Sequence, residues 1–387
     1  MRNRWGGRKG SFNFKYFIEK FYERINLSSI KTVTSKEEFI DEEKTIADVD
    51  YTQMSGIWDM DSTVQFSKKP AAAGPTYISI SANSTGRTPG SFATTDTYGT
   101  GLTANTQSGY YNVTLPAGSY RFTVKGARGA NATYNTPDRY GSGAVFIATA
   151  TLAQATDFIM LAGQIGGEGP NDDAADHQGA GGGGGTFIAI GSSHTTATPF
   201  LVAGGGGGDA AYRNANAYNT DWHHASLTEN GKNGGGAVAS YTTYPYHQGT
   251  VGNGLTYNNG SYYNPLNGGN AVHSFAGWHG GGFYTSGGGS SARTGGSAGG
   301  GFRQGGVGGL NQAGAGTGGG FGGGGGGGTN CGYGGGGGGY TGGMSAGYAN
   351  GCGGQGGGGG SYVDSSLTVT SSSADHTGSG YILIESI

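Results

Sequence analysis

Charge is sparse in this chain. Only 12% of its 387 residues are Asp, Glu, Lys or Arg, the net charge is −3 and the pI is near 6.2. Such a balance provides no bulk attraction to nucleic acid or to an anionic membrane. There are two cysteines, Cys331 and Cys352, too few for a disulfide-rich scaffold. Each lies inside a glycine run, and the pair reads either as one bridge or as two free thiols. No run of 18 apolar residues occurs, so no helical membrane insertion is expected. The basic start (Arg2, Arg4, Arg8, Lys9) leads into aromatics interrupted by Lys15, Glu19 and Lys20, a pattern without the apolar stretch of a secretory leader. Leu, Ile and Val are scarce, which argues against a large conventional side-chain core. Low net charge with 24 Tyr and 16 Phe nevertheless differs from the composition of a disordered, solvating chain.

Glycine fills the gap. It accounts for 89 of 387 residues, about 23%, against about 7% in ordinary proteins. The glycines come in runs without a G-X-Y period, which excludes collagen. Each ordered glycine costs roughly 0.5–1 kcal/mol more conformational entropy than alanine, so ordered runs need a compensating gain that only glycine allows. Polyglycine can adopt an extended left-handed helix with three residues per turn, like polyproline II, while keeping the N–H that proline lacks. Such helices, packed side by side with no side chains between them, can pair N–H with C=O laterally, as buried backbone groups require. The competing reading is a set of flexible linkers. Single aromatics within the runs (Phe321, Tyr333, Tyr340) argue for order.

The chain divides by charge. Residues 1–50 hold 10 Lys/Arg and 9 Asp/Glu of the 21 and 24 present in the whole chain. Phe14, Phe17, Ile18, Phe21 and Ile25 follow a helical stripe, with Ser11 as N-cap, predicting a helix over about 12–26. An acidic linker follows over 37–50. From Thr76 the texture becomes β: 76–81, 111–115, 119–125, 144–150, 158–162, 186–190, 200–203 and 381–384 read as strands, with Pro116-Ala-Gly118 as a hairpin turn. The longest glycine runs lie between 204 and 360. Strands on both sides of that block imply a mainly β fold, a jelly roll or sandwich interrupted by a bundle of polyglycine II helices. The expected organisation is an N-terminal segment 1–70, a β domain of 76–203 with 361–387, and an inserted glycine-rich domain 204–360.

Three resemblances follow from these residues. The run 179–185 ending in Thr186-Phe187-Ile188, Leu201-Val202-Ala203 before 204–208, Gly320-Phe321-Gly322, Cys331-Gly-Tyr333-Gly334, Tyr340-Thr341-Gly342-Gly343 and the closing Ser361-Tyr362-Val363 resemble the glycine-rich domain of the anaplastic lymphoma kinase and leukocyte tyrosine kinase receptors. The likeness covers about 105–387. It implies a tumour-necrosis-factor-like jelly roll with inserted polyglycine helices, a domain that binds protein ligands and is not catalytic. The kinase and membrane span of those receptors have no counterpart here, so receptor signalling is not carried over. A looser likeness is to the polyglycine-sandwich adhesins of phage long tail fibres. Ser55-Gly56-Ile57-Trp58-Asp59 is similar to a short Gly-(Val/Ile)-Trp segment of tailed-phage virion proteins. These likenesses imply a virion protein exposed on the particle surface, a tail fibre or adhesin. Phe14, Phe17, Ile18, Phe21, Ile25 and Trp58 would attach it to other virion proteins, and a homo-oligomer, a trimer by analogy, is expected. A capsid decoration or head fibre, and a cellular extracellular ligand-binding module, are the alternatives.

No chemistry of catalysis or cofactor binding stands out. Gly295-Gly-Ser297-Ala-Gly299 matches G-x-S-x-G, but no strand precedes it to form a nucleophile elbow. Gly231-Lys232-Asn233 lacks the Ser/Thr of a P-loop. Asp172, Asp173, Asp176 and His177 cluster in a loop without EF-hand spacing, which leaves a solvated loop or a calcium ligand set. No metal site and no cofactor are expected. The distinctive segment is 209–267, where Tyr212, Tyr218, Trp222, His223, His224, Tyr241, Tyr244, Tyr246, His247, Tyr257, Tyr262 and Tyr263 are interleaved with Asn and Gly. Tyrosine gives large amphipathic contact area at low entropy cost, as in antibody paratopes. These residues are therefore candidate contacts for a host surface glycan or protein. The other reading is that the aromatics pack against the glycine segments; Trp278 and His279 divide in the same way.

Overall fold

The computed structural model describes residues 76–97, 99, 102–105, 108–132, 139–169, 178–211, 220–232, 234, 277–288, 296–311, 317–328, 332–345 and 354–387. The chain divides into two units, Met1–Gly74 and Pro75–Ile387, and every described residue belongs to the second. The helix expected over 12–26, the Trp58 segment and both cysteines lie outside the described residues.

Alternation builds the first sheet. In β5 (Gly118–Lys125), Tyr120, Phe122 and Val124 point inward and are buried, while Arg121, Thr123 and Lys125 face outward. β1 (Tyr77–Ala82) contributes Ile78 and Ile80 in the same way, and β12 (Tyr381–Ser386) contributes Ile382 and Ile384. With β2 (Phe92–Asp96), β6 (Gly143–Leu152) and β11 (Thr368–His376) they form an antiparallel sheet of order β11-β6-β5-β12-β1-β2. The second sheet, also antiparallel, has the order β10-β9-β8-β7-β4-β3. Its strands are β3 (Thr103–Asn105), β4 (Tyr110–Leu115), β7 (Thr156–Leu161), β8 (Thr186–Ile190), β9 (Thr198–Ala203) and β10 (Tyr362–Val363). The two pack in a sandwich-like arrangement on Phe122, Phe158 and Phe200, whose rings lie 5.2–6.1 Å apart.

The second sheet is buried on both faces. Its central strands therefore read as continuous apolar runs, Phe158-Ile-Met-Leu161 and Phe200-Leu-Val-Ala203, and not as alternations. Phe158 and Met160 face the first sheet, while Ile159, Leu161, Phe187 and Val202 join a separate cluster with Phe283, Phe302, Phe321 and Tyr340. These last four aromatics come from tight turns between glycine segments. At Phe321 the turn continues through Gly322 and Gly323, at φ 100° and 87°, a left-handed pair that side-chain-bearing residues rarely adopt. Phe283 stacks on Phe302 at 4.7 Å, and the Tyr110 hydroxyl donates to the Phe302 carbonyl. Tyr110→Phe removes this donor and leaves the buried Phe302 carbonyl to the long bond from the Gly305 N–H at 3.4 Å. It is expected to cost about 1–2 kcal/mol, read as a lower midpoint in denaturant unfolding.

The glycine segments have neither helix nor strand pairing but are almost entirely buried. Their backbones bond to one another with a period of three. Gly205 and Gly208 donate to Gly338 and Gly335, and accept from Gly359 and Gly356. Gly206 and Asp209 donate to Ala127 and Ala130, and accept from Gly183 and Ala180. Gly204 and Gly207 accept from Ala144 and Gly141. Each third residue of one segment thus faces the same neighbour, at N···O distances of 2.7–3.0 Å. This bonding satisfies buried amides that would each cost about 1–3 kcal/mol if left unpaired. The array is not confined to 204–360: 126–130, 139–142, 163–169 and 178–185, which connect strands earlier in the chain, are members of it.

Candidate functional site

Bond register shows which ends of the glycine segments meet the sheets. Gly204, directly after β9, receives the Ala144 N–H and donates to the Ser361 hydroxyl just before β10. Gly163, after β7, donates to the Thr186 hydroxyl at the start of β8. From there the pairs step outward: Gly206 with Gly183, Gly208 with Gly335 and Gly356, and finally Ala211 with Gly332. Ala211 is thus at the end remote from the sheets, where the Tyr212–Tyr218 stretch of sequence begins. The flanks of the longer Tyr-rich stretch are fixed in the same way. Before it, Lys232 donates its N–H to Gly358 (2.7 Å) and accepts from Met344 (3.0 Å). After it, Trp278 donates to Gly326 (3.0 Å) and Gly280 to Gly343 (2.9 Å). Lys232 and Gly280 therefore bond to consecutive residues, Met344 and Gly343, of one segment.

Of the twelve candidate contact residues, three are described. Trp222 and His223 lie on a one-turn helix, α1 (Thr220–His223), and His224 follows it. Their backbones belong to the array: the Trp222 carbonyl accepts from Gly358 and the His223 carbonyl from Gly207. His223 is buried, Trp222 and His224 are half-buried, and the two imidazoles lie 4.3 Å apart. His224 Nδ1 accepts the Ser142 N–H at 3.0 Å, which leaves the proton of the neutral ring on Nε2. Burial holds the His224 pKa below its usual value, helped by the nearby Lys232 ammonium and opposed by Asp221. Lys232 is depressed by burial as well, against the pull of Asp221, and its ammonium donates to the Asp221 carbonyl at 2.6 Å. Lys232, whose Gly-Lys-Asn context lacks the Ser/Thr of a P-loop, ties its side chain to this one-turn helix. The pairing joins residues 11 apart across a bend and leaves no periodic signal in the sequence.

Tyr212, Tyr218, Tyr241, Tyr244, Tyr246, His247, Tyr257, Tyr262 and Tyr263 lie outside the described residues, as do Asp172, Asp173, Asp176 and His177. Among the described residues no group of three His, Cys, Asp or Glu is placed to hold a metal ion, and no helix is long and apolar enough to cross a membrane. Ser297 of the G-x-S-x-G match sits in a glycine segment, where its hydroxyl accepts the Leu310 N–H at 2.9 Å. Trp278 and His279 are both buried, and the Trp278 carbonyl accepts from Gly336. For these two residues the structure favours the packing role.

The fold and its glycine segments define a two-sheet β protein with a backbone-bonded array at one end. No protein-family model matches the chain, and no curated protein matches it.

Proposed function

We propose that this is a non-enzymatic protein of a tailed-phage virion, exposed as a tail fibre or receptor-binding adhesin. In this reading the sandwich is a jelly roll and the glycine segments are polyglycine II helices. The three-residue bonding period supports the latter, since it equals the repeat of that helix. The observation that carries the functional reading is the anchoring of the Tyr/Asn-rich stretches. Their flanks, Ala211, Lys232 and Trp278, are each bonded into the array. A stiff scaffold that presents aromatic segments is the arrangement recognition surfaces use. The target would be a host surface glycan or protein, and the segment 1–70 would join the chain to other virion proteins.

The test is replacement of residues 240–270 by a short Gly-Ser bridge. The flanks keep their bonds, so the melting temperature of the purified chain is expected to change little. Adsorption of particles carrying the shortened chain is expected to fall by roughly tenfold or more, the loss of about 1.4 kcal/mol of binding free energy or greater. Unchanged adsorption would favour a decoration role.

A further inference from the structure

The two sheets differ in what covers them. Among the described residues the second sheet is buried on both faces, whereas the first is covered only on the side that carries Phe122. Along β5, β12 and β1, and from Val145 onward in β6, the outward residues alternate with core residues and none of them is buried. An antiparallel sheet with one solvated face ordinarily turns polar residues to it. Here Val145, Ile147, Tyr381 and Leu383 stand among the outward Ser and Thr. The strand order β11-β6-β5-β12-β1-β2 has its midline between β5 and β12. Across that midline Arg121 pairs with Glu385, Thr123 with Leu383 and Lys125 with Tyr381. Arg121 Nε donates to Glu385 Oε2 at 2.9 Å, and the Lys125 ammonium lies 5.6 Å from the Tyr381 ring centre. One strand further out, Ile147 on β6 neighbours Thr123, and Ser79 on β1 neighbours Leu383.

We infer that a second copy of this chain docks on this face, about a two-fold axis that runs along the midline. Such an axis carries each midline residue onto its cross-strand neighbour in the partner. Arg121 then meets the partner's Glu385, and the two ion pairs close into a ring of alternating charge. Thr123 meets the partner's Leu383 and Ser79 meets the partner's Ile147, so large side chains fall on small ones, as interdigitating faces require. This self-complementarity is the condition for an isologous pair. Packed sheets keep their strands within about 30° of each other, so the match is closest beside the axis, at β5 and β12. Six strands at about 4.8 Å spacing, five to ten residues long at about 3.3 Å per residue, give the face a footprint of about 700 Å². A standard interface takes about 800 Å² from each partner. The pair is independent of the adhesin reading, and it differs from the trimer expected by analogy.

The test is sedimentation of the purified full chain at micromolar concentration. The parent protein is expected to have twice the 38.8 kDa mass of one chain. Leu383→Arg places a charge on the midline, outside the packed core, and is expected to give a single-chain mass with little change in melting temperature. Arg121→Glu makes the ring of charge all acidic, and Glu385→Arg makes it all basic. Each is expected to weaken self-association about a hundredfold, because like charges are then opposed. Mixed in equal amounts, these two variants are expected to recover the double mass, since each face now meets its opposite. Repulsion within either chain persists in the mixture, so only contacts between chains can restore the pair. A parent of single-chain or triple mass, any of the three single variants that stays paired, or a mixture that stays apart would overturn the proposal.

Discussion

Alanine at Gly206 is expected to destroy the cooperative unfolding transition of the protein. A Cβ at this position would stand 1.8 Å from the Gly141 carbonyl oxygen and 2.2 Å from its carbon. Both are backbone atoms, so no rotamer change relieves the overlap. Gly206 cannot swing aside either, because its N–H is bonded to Ala127 and its carbonyl receives Gly183. Gly141 is held in turn, donating to Gly207 and accepting from Gly129. The clash therefore spreads through several segments, and the expected cost exceeds about 4–5 kcal/mol, the range of severe core substitutions. Gly86→Ala is the control. Gly86 has φ 104°, and no atom lies within 4 Å of the place its methyl group would take, so its cost is confined to the left-handed penalty of about 1–2 kcal/mol. Denaturant unfolding of both variants measures the contrast. If Gly206→Ala unfolds like the parent protein, the glycine segments are slack tethers and the bonded array is wrong.

The strands that carry an alternating or a continuous apolar pattern were legible from the sequence. The alternation of Tyr120 to Lys125, and the runs 158–161, 186–190 and 200–203, appear as strands in the expected places. β11 was not legible, for a physical reason. It is an edge strand exposed on most of its length, so Thr368–His376 carries Ser and Thr on both faces and shows no alternation. β2 is an exposed edge as well. The glycine segments posed a different difficulty. Their high density signalled close backbone packing, but every glycine looks alike, so the pairing of Gly206 with Ala127 and Gly183 has no trace in residue identity. That is why 126–130 and 178–185 read as parts of the β domain, although they bond into the array. The aromatic turns fall between these cases. Phe321 and Tyr340 were visible as interruptions of glycine, but their convergence with Phe187 and Tyr110 depends on how the segments fold back. Of the candidate site, Trp222 to His224 could be named from the sequence, while the roles of Ser142 and Lys232 around them could not.

Acid is expected to destabilise the glycine array by way of His279. The ring is buried between two segments, and its Nδ1 accepts the Ser345 N–H at 2.9 Å. A protonated Nδ1 would point N–H against N–H, so the folded state requires the neutral ring. Burial lowers its pKa from the ordinary 6.5 to about 4. Because the folded value lies below the unfolded one, the unfolded chain binds the extra proton first as pH falls. The stabilisation is complete above pH 6.5 and is lost progressively as pH falls toward about 4. At about 1.36 kcal/mol per pH unit across that window, the loss is about 3 kcal/mol. His194, His224 and His376 are depressed by burial as well and act in the same direction. Carboxylates begin to take up protons at about pH 5, so the stretch from 6.5 to about 5 reports on the histidines, and the comparison with a His279 variant separates the two below it. Denaturant midpoints measured across the whole window should fall steadily with acid. In His279→Asn, whose amide oxygen can accept the Ser345 N–H without titrating, the slope should flatten even though the variant begins less stable. An equal slope in parent and variant would remove His279 as the cause, because a merely structural loss lowers the whole curve without changing its dependence on pH.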